Sequence, residues 1–590
     1  MKSKAQLITK KTKIYLFLFI IFNLILSALE TIGIGSIPIL ILALIDGTGN
    51  SSDYFFYEFI GKFFDTQNKN FLFNFSIFIL LFFLFKNIYF LLIRFFEGLL
   101  KKNLVSTMSL KLFKNYLFLP YKQLLYKNPS IALRNMTSEC ESFGNYIGSL
   151  VDIFREVLII IFLFSMLFFQ DKFLSFFVIC ILILVLGTFY LFVRNSLYRM
   201  GQISQDFRGR LLKLITQSLE SVRFVKILKK ENFFFKKFSF NLNKILDQNV
   251  MMNIIQAIPK TLLEFIAIII MISSVYFFLE FQGSKNVLPY ITLLGLILVR
   301  LIPSFNILSS SISALKFLTP AKEILLKELR LGKNIKISKT EIDNNTDHSK
   351  IFTKAIELKK IYFKYPSSKK NILKNINLKI KKNSFIAFVG ESGAGKSTII
   401  DIILGLLEPN FGKILVDGKS LHSEKILDSW YKNIGIIPQD IYLDDSSLKD
   451  NITFYDEKIN YKNLKKAINL SLLNDVVRQL PNKLETVIGN RGIRLSGGQI
   501  QRVGIARCMY RDPKVIIMDE ATSSLDNKAE KKIIDAINSI KKGRTLISIA
   551  HRLSTIKRAE LIYFVKDGRV IDCGSLNELK SRHKDFFGNL

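Results

Sequence analysis

The chain has 590 residues, 49% of them apolar, with 53 Phe and a formal charge of +35. That length exceeds what one hydrophobic core organises, and so much Phe beside so much Lys excludes an ordinary single-domain soluble protein. The positive charge does not point to nucleic acid, because basic loops beside apolar spans are what the positive-inside rule produces and anionic headgroups attract them.

An apolar stretch near 14–45 follows Lys2, Lys4, Lys10, Lys11 and Lys13. It is too long, and begins too late after its charged start, to be a cleaved signal peptide. Five further stretches, near 71–98, 143–169, 172–194, 254–281 and 286–309, also reach the roughly 20 residues that a bilayer crossing needs. The loop after the first span holds Asp46, Asp53, Glu58 and Asp65 against Lys62 and Lys69. This asymmetry predicts an inside N-terminus, and six spans return the C-terminus inside as well. In the same loop Phe56, Phe59, Ile60 and Phe63 share a helical face opposite Glu58, Lys62 and Asp65, the pattern of a short interfacial helix on the outer leaflet.

Outer links at 170–171 and 282–285 are short, whereas inner links at 99–142 and 195–253 are long, charged and helical in pattern. A helix rising about 1.5 Å per residue and folded back on itself over such a length reaches about 30 Å into the cytoplasm. Asn128-Pro129 is the expected tip of the first hairpin, and 216–226 the turn of the second. Glu30, Lys86, Arg94, Asp152, Arg155, Glu156, Glu264 and Arg300 fall inside spans, where a charge is costly. Two readings stay open. They pair with one another, Glu264 with Arg300 for instance, or Lys86, Arg155 and Arg300 line a polar cavity for an anionic substrate. The four cysteines, Cys140, Cys180, Cys508 and Cys573, have no metal-like or redox-like spacing and read as small apolar fillers of a reducing compartment.

Residues 331–350 are polar and without period, a linker, after which the composition becomes that of a soluble α/β domain over 351–590. There a predicted strand, Phe385–Val389, runs into GESGAGKST, formed by Gly390, Glu391, Ser392, Gly393, Ala394, Gly395, Lys396, Ser397 and Thr398. Such a glycine-rich turn closes backbone N–H groups on phosphates, and the following helix presents its positive end. Lys396 is placed to reach the β- and γ-phosphates of a nucleotide and Ser397 to reach Mg²⁺. A second predicted strand, 515–518, ends in Asp519 and Glu520, suited to Mg²⁺ and to polarising the attacking water. Between them lies LSGGQ, formed by Leu495, Ser496, Gly497, Gly498 and Gln499, whose glycines expose backbone donors at a helix start.

With Gln439 and His551, the latter after the predicted strand Thr545–Ile549, this ordered set resembles the nucleotide-binding domain of ABC ATPases over the whole of 351–590. The resemblance implies that Tyr365 stacks on adenine, against its plain reading as a core aromatic. It makes Gln439 the sensor linking Mg²⁺ and water to the membrane arms. Leu495, Ser496, Gly497, Gly498 and Gln499 contact the ATP of the opposing subunit, Asp526 lies in the loop between subunits, and His551 contacts the γ-phosphate. One departure is Asn490, in TVIGNRG, where exporters commonly carry an acidic residue.

A six-helix membrane domain over 1–330 placed ahead of an α/β P-loop ATPase, with long inner arms, resembles the exporter class, expected here as a homodimer in the cell membrane among lipids. Within it SALETIGI around Glu30, AIPKTLLE at 257–264 and RLIPSFN at 300–306 look most like the lipid-linked oligosaccharide flippases of the PglK type. That likeness implies an amphipathic, pyrophosphate-bearing lipid as substrate. An exporter of peptides or hydrophobic small molecules, or a non-transporting ABC scaffold, are the other readings; the lack of an N-terminal peptidase domain argues only against processing-coupled peptide export.

Overall fold

The computed structural model describes residues 10–45, 71–170, 172–281, 287–332, 352–366, 368–489, 492–519, 543–550 and 556–587. The chain divides into two compact units, one of residues 1–119 and 126–336, the other of Pro120–Leu125 and Ile337–Leu590.

The first unit is helical. Its long elements are α1 (Lys10–Ile45), α2 (Phe71–Leu117), α5 (Cys140–Gln170), α6 (Lys172–Glu220), α8 (Glu231–Phe281) and α9 (Val287–Leu331). Five described stretches, within α1, α2, α6, α8 and α9, are long and apolar enough to cross a membrane. The exception, α5, carries Asp152, Arg155 and Glu156 ahead of its apolar half. These helices outrun the bilayer: the 47 residues of α2 extend about 70 Å. Ile159, Leu163 and Met166 of α5 pack with Leu263 and Ala267 of α8 and with Ile297, Leu301 and Phe305 of α9. Leu80, Leu91, Leu184 and Phe192 stay exposed, as lipid-facing side chains do. Pro259, Pro303 and Pro320 lie inside helices without ending them. Where α6 passes α9 the backbones nearly touch, since a Cβ on Gly201 would lie 2.0 Å from the Phe317 carbonyl oxygen.

Both inner links are helical hairpins. In the first, α3 (Tyr121–Leu124) and α4 (Pro129–Arg134) follow α2, and a π-helical turn at Asn135–Glu139 leads into α5. The tip therefore precedes the Asn128-Pro129 expected from turn chemistry. Asn128 instead caps α4, its side chain accepting from the Ser130 N–H at 2.9 Å, and Pro129 takes the first helical position, which needs no donor. The second hairpin turns at α7 (Val222–Ile227), as expected. Inside the arms Gln205 Nε2 donates to Glu139 Oε2 at 2.9 Å, and Arg134 Nη1 donates to the Gln205 carbonyl at 3.2 Å.

The second unit is α/β. An antiparallel sheet has the order β2-β1-β4-β5, from β1 (Ala355–Phe363), β2 (Leu373–Lys381), β4 (Phe411–Val416) and β5 (Lys419–Ser420). A six-stranded sheet has the order β10-β9-β3-β8-β7-β6, from β3 (Phe385–Val389), β6 (Ile434–Ile437), β7 (Val515–Asp519), β8 (Thr545–Ile549), β9 (Leu561–Lys566) and β10 (Arg569–Gly574). Its ladders are parallel except that of β9 with β10. All five residues of β3 are buried, as expected of a strand covered on both faces. In this unit Lys122 of α3 lies over the Phe363 ring, 5.2 Å from its centroid.

Candidate nucleotide site and transport cavity

Parallel register lines up the ends of four strands. Phe388 of β3 pairs with Ile549 of β8, Ile549 with Asp519 of β7, and Met518 of β7 with Ile437 of β6. Residues 390–395 leave β3 at that edge, Asp519 closes β7 there, and exposed Gln439 follows β6 by two residues. Glu520, Asp526 and His551 lie outside the described residues, as do Asn490 and the predicted outer helix around Phe59.

The loop from Gly390 folds around its own lysine. Gly393 and Gly395 take φ of 81° and 101°, and Gly395 immediately precedes the helix α10 (Lys396–Ile403). The left-handed φ is what requires glycine at 395; a Cβ there would meet only the terminal Leu373 Cδ2 methyl, at 2.8 Å. The Lys396 ammonium donates to the Gly390 and Glu391 carbonyls, both at 2.8 Å. No side chain caps α10, so its leading N–H groups form a ready anion site. Glu391, Ser392, Gly393 and Ser397 are exposed along the loop, while Ala394 and Thr398 are buried beneath it. Tyr365 stands beside the helix, its hydroxyl 3.4 Å from that of Thr398 and its ring edge-on to Phe363.

Sequence reading missed Asp401, one and a half turns beyond Lys396. Burial, with the charge of Asp519, pushes its carboxyl up to about 6. The charges of Asp401 and Asp519 thus act on one another, and with the exposed Ser397 one helical turn ahead of Asp401 they offer the kind of oxygen donors that fit a hard divalent cation. Because the folded pKa of Asp401 lies above its unfolded value, ionisation costs stability in the fold. That cost is absent below about pH 4, grows as pH rises to about 6 and is full above it. Asp401→Asn is therefore expected to raise the nucleotide-free melting temperature by a few degrees at pH 8 and hardly at all at pH 4.5, which thermal unfolding in detergent measures.

Ser496 begins α11 (Gly497–Tyr510) with a capping box: Ser496 Oγ accepts from the Gln499 N–H at 3.3 Å, and Gln499 Oε1 accepts from the Ser496 N–H at 2.8 Å. Gln499 thereby holds the exposed Ser496–Gly497 turn in shape. Leu495 anchors it in a core with Val503, Ile505 and Met509, whereas Ile399, Ile402 and Ile403 of α10 belong to a different core. In one copy the two anion-facing helix starts are held by separate packing groups.

In the membrane unit Lys86, Arg155 and Arg300, far apart in sequence, line one cavity of about 220 Å³ with Glu30, Arg94, Glu156 and the apolar Leu26, Phe90, Ile159 and Ile307. Arg300 Nη2 donates to both carboxylate oxygens of Glu30, at 2.6 and 2.7 Å. The partner is Glu30 of α1, not the expected Glu264, which faces Lys260 on its own helix at 3.7 Å. Arg155 is fully buried against Asp152 at 2.6 Å, Glu156 at 3.1 Å and Glu97 at 3.5 Å. Arg94 joins the same cluster through Glu97 at 2.8 Å and Asp152 at 3.3 Å. Lys86 has no ion pair among the described residues; its ammonium lies over the Phe83 ring, 4.7 Å from the centroid. Pairing and cavity lining, opposed in the sequence reading, coexist here.

A P-loop α/β ATPase unit and a unit of long apolar helices together define an ATP-driven membrane transporter. Family models described as ABC transporter transmembrane region and as ABC transporter match residues 36–301 and 373–523. An ATP-dependent lipid A-core flippase of Wigglesworthia glossinidia brevipalpis is 30% identical over 490 residues, covering 80% of this chain and 81% of the relative. A multidrug resistance ABC transporter ATP-binding and permease protein of Lactococcus lactis subsp. lactis is 30% identical over 386 residues, covering 65% and 64%. The structure of a bacterial Atm1-family ABC exporter with ATP bound shares the fold, with a TM-score of 0.77 over 98% of this chain and 97% of its own at 20% identity. The chain belongs to the ABC transporter family, as an exporter that carries membrane region and ATPase in one polypeptide and couples ATP hydrolysis to transport.

Proposed function

We propose that two copies of this chain form an ATP-driven flippase for an anionic, lipid-linked substrate, an oligosaccharide carried on a pyrophosphate lipid. The observation that carries this reading is the convergence of Lys86 and Arg300 on one intramembrane cavity beside apolar Leu26, Phe90 and Ile307. Such a lining suits a phosphorylated headgroup while the lipid tail stays in the bilayer. The lipid A-core flippases among its relatives favour a lipid over a soluble cargo. In this reading residues 1–330 form the membrane domain, with both termini cytoplasmic, and 351–590 the ATPase.

At the ATPase site Lys396 and the loop N–H groups would hold the phosphates, Tyr365 the adenine, and Ser397, Asp519 and Gln439 a Mg²⁺ ion that neutralises phosphate charge when bound. Glu520 would orient the attacking water and His551 would face the γ-phosphate. The separate cores of the two helix starts support a composite site in which Ser496 and Gly498 serve the opposing copy's ATP and Asp526 lies between copies. Phe224, Ile227 and Leu228, exposed at the second hairpin tip, fit burial by a second copy. Cross-linking and mass measurement in detergent are expected to give a dimer; an active monomer, or an obligate partner of different sequence, overturns the homodimer.

The decisive measurement is transport in proteoliposomes. A polyprenyl pyrophosphate glycolipid is expected to stimulate ATP hydrolysis and to change leaflet. Stimulation by hydrophobic drugs or peptides, with no response to the lipid, overturns the flippase reading.

A further inference from the structure

Of the charged residues that line the cavity, Lys86, Arg300 and Glu30 act on one another, and their balance is uneven. Lys86 and Arg300 less Glu30 leave one net positive charge. Arg94 and Arg155 against Glu97, Asp152 and Glu156 leave one net negative charge in the neighbouring cluster. Arg300 places a single nitrogen, Nη2, on Glu30, and about a quarter of its side chain (26%) stays exposed. Lys86 makes no ion pair among the described residues, and the charges whose fields reach it are Glu30 and Arg300. Lys86 and the exposed part of Arg300 therefore line the same 220 Å³ space, in which Glu30 is the carboxylate bonded to Arg300 and Arg94, Arg155 and Glu156 complete the charged lining.

We infer that Glu30 is a specificity-determining residue: it orients Arg300 through Nη2 and sets the charge of the transport cavity, and thereby the headgroup charge that the exporter prefers. This rests on the proposal that the cavity receives an anionic lipid headgroup. A phosphate oxygen entering the cavity can pair with Lys86 while Glu30 stays on Arg300 Nη2. Each further negative charge on the headgroup meets the Glu30 carboxylate at short range, where the local dielectric is low and repulsion is strong. Glu30 therefore acts as a brake on the most highly charged headgroups, and neutralising it raises the summed charge of this three-residue group from +1 to +2.

The test uses the full-length exporter in phosphatidylcholine vesicles. A polyprenyl pyrophosphate and a polyprenyl monophosphate of equal chain length are compared as stimulators of ATP hydrolysis, and the ratio of their apparent affinities is read. Glu30→Gln is expected to shift that ratio roughly tenfold toward the pyrophosphate. Lys86→Gln, which leaves no carboxylate without its partner, is expected to shift it the other way and keeps the inference testable if Glu30→Gln fails to fold. Glu30→Asp, which retains the charge, is expected to hold the wild-type ratio. Glu357→Gln, which breaks pairs with Lys359 and Lys379 on the antiparallel sheet of the second unit, serves as the distant control. If the wild type responds to both lipids and neither Glu30→Gln nor Lys86→Gln moves the ratio, Glu30 does not select charge while the flippase reading stands. If neither lipid stimulates the wild type, both fall.

Discussion

Glu520→Gln is expected to lower ATP turnover by about a hundredfold or more while ATP binding persists, because loss of a group that polarises water removes a transition-state contribution and leaves the phosphate-binding groups in place. Those groups are Lys396, Ser397 and the uncapped start of α10. Lys396→Ala is expected to act on the other side of the cycle and weaken nucleotide binding itself. Its ammonium also ties the Gly390 and Glu391 carbonyls, so the loop loses its internal brace as well as a charge. Nucleotide binding and single-turnover hydrolysis, measured separately, distinguish the two variants. Near-normal hydrolysis in Glu520→Gln removes Glu520 from its proposed role. A parallel loss of binding in that variant points instead to a collapse of the edge where β7 ends.

How much of this was legible in the sequence depended on whether the relevant contacts are local. The P-loop was legible because glycine spacing, the lysine and the helix start are contiguous, so the conformation at Gly393 and Gly395 follows from a few adjacent residues. Strand ends were legible for the same reason: 385–389, 515–518 and 545–549 are short apolar runs bounded by turn chemistry, and β3, β7 and β8 occupy them. Asp401 escaped because an acidic residue on a helix is ordinarily solvated, and only β7 folding beside α10 gives it Asp519 as a neighbour. The Asn128-Pro129 tip was misplaced because proline marks a turn and a helix start equally well, and here it starts α4. Arg300 shows the larger limit. Its sequence neighbours are apolar, so a counter-ion is demanded by the cost of a lone charge in hydrocarbon, but periodicity cannot say which helix supplies it. The adjacent span offered Glu264; helix packing supplies Glu30, 270 residues away.

That partner changes what Arg300→Ala is expected to do. Removing the guanidinium leaves Glu30 with no partner in a site where its side chain is only 12% exposed. For a fully buried pair such an orphaned charge costs ~3–5 kcal/mol; the open cavity beside it lets water reach the carboxylate and lowers the cost here. A moderate loss of thermal stability is therefore expected, and Glu30→Ala added to Arg300→Ala is expected to recover much of it, because both charges then leave together. Transport is expected to behave differently. Arg300→Ala abolishes lipid-stimulated hydrolysis and flipping, and the double variant does not regain them, since the donors that meet the headgroup are still missing. Glu264→Ala is expected to do neither, as its partner Lys260 lies on the same helix and both side chains are about half exposed. Measuring melting temperature, hydrolysis without lipid and lipid-stimulated flipping on the same three preparations separates the roles. Stability and flipping restored together in the double variant would make the Arg300–Glu30 pair a structural tie between α9 and α1. Stability restored with flipping still absent assigns Arg300 to the substrate.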